Sequence, residues 1–134
     1  MAVNEERTDR NYLFGRLLAV ADVIKGRAMS GSDDKRPTNA SRYMNAFSMR
    51  PVSTWKTIQL AINPYQQKLT QKNQSNCQKD IDDIIIKFEE GEFSNKELNG
   101  QFILGYSSQR NKMFTSTKKN NKDNGGENND NTSK

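Results

Sequence analysis

The chain has 134 residues, with 21 Lys+Arg against 16 Asp+Glu and a net charge of +5; this is one domain's length with a basic excess. It contains no histidine and a single cysteine, Cys77, which excludes Ser-His-Asp and Cys-His catalysis, histidine-zinc centres, internal disulfides and cysteine metal clusters. Only 32% of residues are hydrophobic, so part of the chain lies outside any packed core.

No apolar run is long enough to cross a bilayer. The opening Met1-Ala-Val-Asn-Glu-Glu-Arg7 lacks the character of a signal peptide. Both observations point to the cytoplasm. Residues 1–8 read as a short arm. Residues 10–29 read as a helix, with Leu13, Leu17, Val20 and Ile24 at i, i+4, i+7 and i+11. Phe14, Leu18 and Ala21 broaden that stripe, and Thr8 or Asp9 can cap it. Gly15, Ala19, Asp22 and Gly26 share the opposite side: either a close-packing strip or a weakened exposed face. Arg16, Val23 and Arg27 flank the stripe, where arginine stems can lie on the core edge with their heads in solvent or on phosphate.

Residues 30–38 read as a loop. A short second helix follows, capped by Thr38 or Asn39, with Tyr43, Met44 and Phe47 inward. Ser48-Met-Arg-Pro51 is a corner, and Pro51 suits the first turn of a third helix. Trp55, Ile58 and Ile62 form the buried face of that helix, and Asn63-Pro64 breaks or restarts it. Gln71–Lys79 is polar apart from Cys77 and reads as a loop or frayed extension. Asp80–Phe88 reads as a fourth helix, with Ile81, Ile84, Ile85 and Phe88 inward and Asp80, Asp82 and Asp83 favoured by the macrodipole at its start. Gly91 can end it. Residues 98–114 read as a fifth helix, with Phe102, Ile103, Tyr106 and Phe114 available to the core and Gly100 and Gly105 permitting close approach. Thr115–Lys134 has no aliphatic or aromatic side chain and reads as a disordered tail. The fold class is therefore all-α: a bundle of about five helices over residues 9–114 with a polar tail over 115–134.

No phosphate-cradling glycine loop, metal-ligand cluster or activated nucleophile is evident. The reading is of a non-enzyme with no cofactor and no metal. What remains is a basic surface with interleaved aromatics. Residues 1–60 carry ten Lys/Arg against six Asp/Glu, whereas residues 61–114 carry seven of each. Arg36, Arg42, Arg50 and Lys56 are the first-choice contacts for a polyanion, with Arg16, Arg27 and Arg110 behind them. Arginine binds phosphate in a bidentate manner and stacks on bases. The same charges would also suit a solvated face paired with acids such as Asp33 and Asp34. Tyr43, Trp55, Tyr65 and Tyr106 could stack on bases, but their spacing suits the core.

Asn11-Tyr-Leu-Phe-Gly-Arg-Leu-Leu-Ala-Val-Ala-Asp22 resembles a helix near the C-terminus of the large subunit of the type I-C CRISPR Cascade complex. Arg36-Pro-Thr-Asn-Ala-Ser-Arg-Tyr43 with Ala46-Phe-Ser-Met-Arg-Pro51, and Gly100-Gln-Phe-Ile-Leu-Gly-Tyr106 with Gln109-Arg110, resemble the segments that follow it in that family. The three occur in the family's order. The family often has an aromatic where Ser107 stands, and the polar stretch 71–79 departs from its pattern. The family's long N-terminal part, which recognises the PAM, is absent here. The resemblance therefore implies the separate small subunit of the complex, made by internal translation within the large-subunit gene. It implies a helical bundle without nuclease activity. Its partners would be the backbone and large Cascade subunits, a second copy of itself, the guide RNA and target DNA, and the displaced non-target strand. Two other readings stay open: an adaptor that bridges subunits without touching nucleic acid, and a free-standing DNA-binding regulator using the second and third helices as a helix-turn-helix.

Overall fold

The computed structural model describes residues 3–29 and 39–124, with side chains described over 3–29 and 42–113. Among the described residues there are five α-helices and no strand, in the order α1 Arg10–Ala28, α2 Asn39–Met49, α3 Pro51–Lys68, α4 Gln71–Ile85 and α5 Phe102–Asn124. The all-α reading holds. The expected loop 30–38, with Arg36 in it, lies outside the described residues, as does the tail from residue 125.

α1 starts at Asp9, whose carboxylate accepts from the Tyr12 N–H at 3.3 Å and satisfies one orphan donor of the first turn. From Tyr12 to Ile24 every residue of α1 is buried. The stripe is therefore not one face of an amphipathic helix. α1 is the central helix, and the other four pack around it. The glycine side of α1 is covered by α5, its most extensive partner. A Cβ placed on Gly15 would collide with the Phe102 carbonyl oxygen, and one on Gly105 would collide with the Tyr12 carbonyl oxygen. The two glycines thus let the α1 and α5 backbones touch, which decides the open reading of that strip in favour of close packing at Gly15. Gly26 and Gly100 face open space and play no such part.

Phe47 of α2 and Trp55, Ile58 and Ile62 of α3 complete the core on the other flank. Arg50 alone separates α2 from α3. Pro51 occupies the first turn of α3, and the Thr54 hydroxyl donates to the Ala46 carbonyl at 3.0 Å across the corner. Pro64 does not break α3, which continues to Lys68. Proline removes the bond to the carbonyl four residues earlier, here that of Leu60. Both Leu60 and Pro64 are exposed, so water can satisfy the freed carbonyl.

The segment Gln71–Lys79, expected as a loop, is helical. The Thr70 hydroxyl caps α4 by accepting from the Asn73 N–H at 3.2 Å. Cys77, Ile81 and Ile84 are the buried residues of α4, at i, i+4 and i+7. One apolar position per turn suffices for a helix that lies along one edge of the core. α4 ends at Ile85, three residues short of the expected Phe88, and Gly91 takes a φ of 82° in the following segment. α5 begins at Phe102 rather than residue 98; the backbone before it is tied to other elements, the Leu98 N–H donating to the Ser48 carbonyl at 2.7 Å and the Asn99 N–H to the Asn11 side-chain oxygen at 2.9 Å. Ile103 is exposed rather than in the core. The helical backbone of α5 continues to Asn124, past the boundary expected at Phe114.

The stretch between α4 and α5 has little apolar content of its own, and Arg10 organises it. The Arg10 guanidinium, 7% exposed, donates to the carbonyls of Glu92, Ser94, Lys96 and Glu97 at 3.0, 2.9, 2.7 and 3.3 Å. Phe88 and Phe93 of this stretch pack on Phe14, with ring centroids 4.7 and 5.4 Å away. A buried cation with four acceptors and an aromatic cluster replace the ladder that regular structure would have supplied.

Candidate nucleic-acid interface

The residues singled out for a polyanion do not share one surface. Arg42 is exposed on α2, with its guanidinium carbon 5.7 Å from the Tyr43 ring centroid. Arg50 is exposed at the N-cap position of α3, and its side chain makes no capping bond. Lys56 is exposed on α3. Beside Arg50 lies a shallow groove of about 400 Å³ between α2 and α3, lined by Tyr43, Ala46, Met49, Arg50, Ser53, Thr54 and Thr57. It is largely apolar, and four hydroxyl-bearing residues, Tyr43, Ser53, Thr54 and Thr57, line it, chemistry that suits a sugar-phosphate chain with one stacked face. Asn95 braces this edge by accepting from the Ser53 N–H at 2.9 Å and donating to the Ser53 hydroxyl at 2.8 Å.

The other candidates sit elsewhere. Arg16 is 2% exposed, so its head does not reach solvent as the sequence suggested. Its Nε donates to the Gln109 Oε1 at 2.8 Å, and its Nη1 stands 3.6 Å from the Glu5 carboxylate. Burial of the stripe on both sides turned this arginine inward. Arg27 is partly buried on α1 and donates to the Cys77 sulfur at 3.6 Å. Burial pushes the Cys77 thiol above its ordinary value, against the pull of Arg27, so this cysteine is not an activated thiolate. Arg110 is partly buried on α5, its guanidinium carbon 5.6 Å from the Tyr106 ring centroid. The Tyr106 hydroxyl donates to Asp22 at 2.6 Å. Burial first, and the Asp22 carboxylate second, raise the Tyr106 phenol well above its ordinary range. Of the proposed stacking aromatics, Trp55 is fully buried and Tyr43, Tyr65 and Tyr106 are partly buried.

A stronger charge segregation runs across residue 60. Residues 35–79 contain eight Lys/Arg and no Asp or Glu at all. This span covers α2, α3 and the first half of α4, and it adds Lys68 and Lys72 to the candidates. Among the described residues, no carboxylate forms an ion pair with Arg42, Arg50, Lys56, Lys68 or Lys72. A surface meant only to be solvated ordinarily interleaves both signs. Residues 80–97 then carry seven Asp/Glu and two Lys. No group of three or more Cys, Asp or Glu among the described residues is placed to hold a metal ion.

α2 and α3 contain no Asp or Glu, and they expose Arg42, Arg50 and Lys56 without an ion-pair partner among the described residues, chemistry compatible with a polyanion. The model of a family described as CRISPR-associated protein (Cas_Csd1) matches residues 1–114. The chain belongs to that family and is a CRISPR-associated protein. No curated protein matches it. No helix among the described residues is long and apolar enough to cross a membrane.

Proposed function

We propose that this chain acts as a non-catalytic small subunit of a type I-C CRISPR Cascade complex in the cytoplasm. In this role it stabilises the R-loop through sequence-independent contacts to nucleic-acid backbone. The observation that carries the reading is the absence of Asp and Glu from α2 and α3, with Arg42, Arg50 and Lys56 exposed and without carboxylate partners among the described residues. Each phosphate these cations neutralise releases counterions from the strand. Forming an R-loop is a near-balanced exchange of one duplex for another, so a few phosphate contacts suffice to tip it. The displaced non-target strand and the guide-target backbone both present the required chemistry. The partners in this reading are the backbone and large subunits, a second copy of the chain, and the nucleic acids, with no small-molecule substrate.

A second reading, an adaptor that bridges subunits without touching nucleic acid, draws support from Leu60 and Ile86, which are 79% and 82% exposed. One experiment separates the two. Cascade is reconstituted with the wild-type chain or with Arg42→Ala, Arg50→Ala and Lys56→Ala combined, and R-loop formation is followed across a salt series after co-purification has been checked. Weaker R-loops with a shallower salt slope support the nucleic-acid reading. Unchanged R-loops with the subunit present reject it in favour of the adaptor. Loss of co-purification places these side chains on another subunit and likewise favours the adaptor.

A further inference from the structure

Three cations from separate parts of the fold converge on the carboxylate of Glu5. Lys112 of α5 is 3.2 Å away, Lys87 just after α4 is 3.5 Å away, and Nη1 of Arg16 on α1 is 3.6 Å away. Burial raises the Glu5 carboxyl, but Arg16, Lys112 and Lys87 outweigh it and hold it below its ordinary value. The cluster remains under-neutralised: Glu5 is the only carboxylate that forms an ion pair with these three cations among the described residues, and Asp80 lies within electrostatic reach of Lys112 alone of the three. The innermost member is also unfinished. Arg16 is 2% exposed, and its Nη1 is buried without a hydrogen-bond partner. A buried guanidinium nitrogen left in that state is costly. The Glu5 carboxylate beside it, 3.6 Å away, is too distant to complete it with a hydrogen bond.

The segment bearing Glu5 is lightly held. Apart from Glu5, it is tied to the body chiefly at Tyr12: the Asn4 N–H donates to the Tyr12 hydroxyl at 2.9 Å, and the Arg7 guanidinium lies 4.3 Å from that ring's centroid. We propose that Arg16, Lys87 and Lys112 form a phosphodiester-binding site, distinct from the α2–α3 face, in which Glu5 is a built-in occupant displaced by a phosphate of single-stranded nucleic acid. The unpartnered Nη1 of Arg16 supplies a charged hydrogen-bond donor to one phosphate oxygen, and the two lysines supply point charges. Charge is conserved in the exchange, since one carboxylate leaves as one phosphodiester enters. Residues 3–9 thereby act as a strap whose release couples to strand capture. The site depends on the proposed function only for the choice of probe.

The test uses the full chain and a 20-nucleotide oligothymidylate in a salt series. Glu5→Gln removes the occupant; Glu6→Gln makes the same charge change one residue away, at a carboxylate with no ion pair among the described residues. The expected result is about fivefold tighter binding for Glu5→Gln, with a salt slope steeper by at most ~0.7 for the one phosphate held there, and less than a twofold change for Glu6→Gln. Adding Lys87→Ala and Lys112→Ala to Glu5→Gln abolishes the gain. The gain persists when Arg42, Arg50 and Lys56 are all alanine, which separates this site from the α2–α3 face. Equal effects of Glu5→Gln and Glu6→Gln, or a gain that survives loss of both lysines, overturn the site. Should Glu5→Gln lose helicity, the wild-type chain decides: titration with the oligonucleotide must shift the Arg16 Nε–H and Glu5 resonances together, and if neither moves the proposal falls.

Discussion

Residues 35–79 and 80–97 are neighbours in sequence and opposites in charge. The first stretch has eight Lys/Arg and no acid; the second has seven Asp/Glu and two Lys. They also meet in space, where Asn95 brackets Ser53. From residue 39 the first stretch is nearly all helix, and its Arg42, Arg50, Lys56, Lys68 and Lys72 form no ion pair among the described residues. The second is largely irregular after Ile85, and a cation from elsewhere, Arg10, is consumed in holding it. The net charge of +5 averages these two arrangements and describes neither.

Helices of both stretches pack on α1, whose most extensive partner is α5, so the largest effect is expected where those two helices touch. Gly15→Ala or Gly105→Ala drives a methyl into the facing backbone carbonyl, which should cost about 3 kcal/mol or more in urea unfolding. A variant of wild-type stability would mean that the two helices do not approach as described. Next, Arg10→Met should separate the two stretches. It removes charged donors from four carbonyls and should cost ~2–4 kcal/mol. Limited proteolysis should then cut between residues 86 and 101 while α2 and α3 stay protected.

Tyr106→Phe deletes the 2.6 Å bond to Asp22 and should cost about 1–2 kcal/mol at neutral pH. The sign of its pH dependence is definite. The folded state holds the Tyr106 phenol neutral beyond its ordinary value of 10.0, so its contribution is present below pH 10 and lost as pH rises above it. Tyr106→Phe should flatten that alkaline decline in melting temperature. Asp80 is a smaller case with a raised carboxyl, chiefly through burial. Its charged form is disfavoured in the fold, so the penalty grows as pH rises through the carboxylate range. Asp80→Asn should raise the melting temperature at pH 7 and lose that advantage in acid. The smallest effect on stability belongs to Arg42→Ala, Arg50→Ala and Lys56→Ala, each within about 0.5 kcal/mol. A larger loss on any of them would show that the cation has an intramolecular role and would weaken the contrast between the two stretches.

Helix identity and core membership were legible wherever apolar residues recur within a helix. Leu13, Leu17, Ile24, Trp55, Ile58, Ile62, Ile81 and Ile84 were all read as inward and all are buried. Periodicity is a local property, and a local reading recovers it. Gln71–Lys79 escaped because a helix at the edge of a core needs only Cys77 to anchor that turn, and one position makes no period. The exposed half of the candidate interface, Arg42, Arg50 and Lys56, was legible from charge, and the absence of acids over 35–79 would have sharpened it.

What the chain's residues determined unaided was its helical class, its inward faces and its basic bias, because spacing and charge are written along one dimension. The tertiary structure alone decided that α1 is enclosed on every side, since a helix's second face is buried only if another helix arrives to cover it. It decided through Gly15 and Gly105 how closely α5 approaches. It turned Arg10 and Arg16 inward, because the residues they bond, 92–97 and Gln109, lie more than eighty positions away in sequence. An arginine's side of the surface is set by such distant acceptors, and no local pattern encodes them.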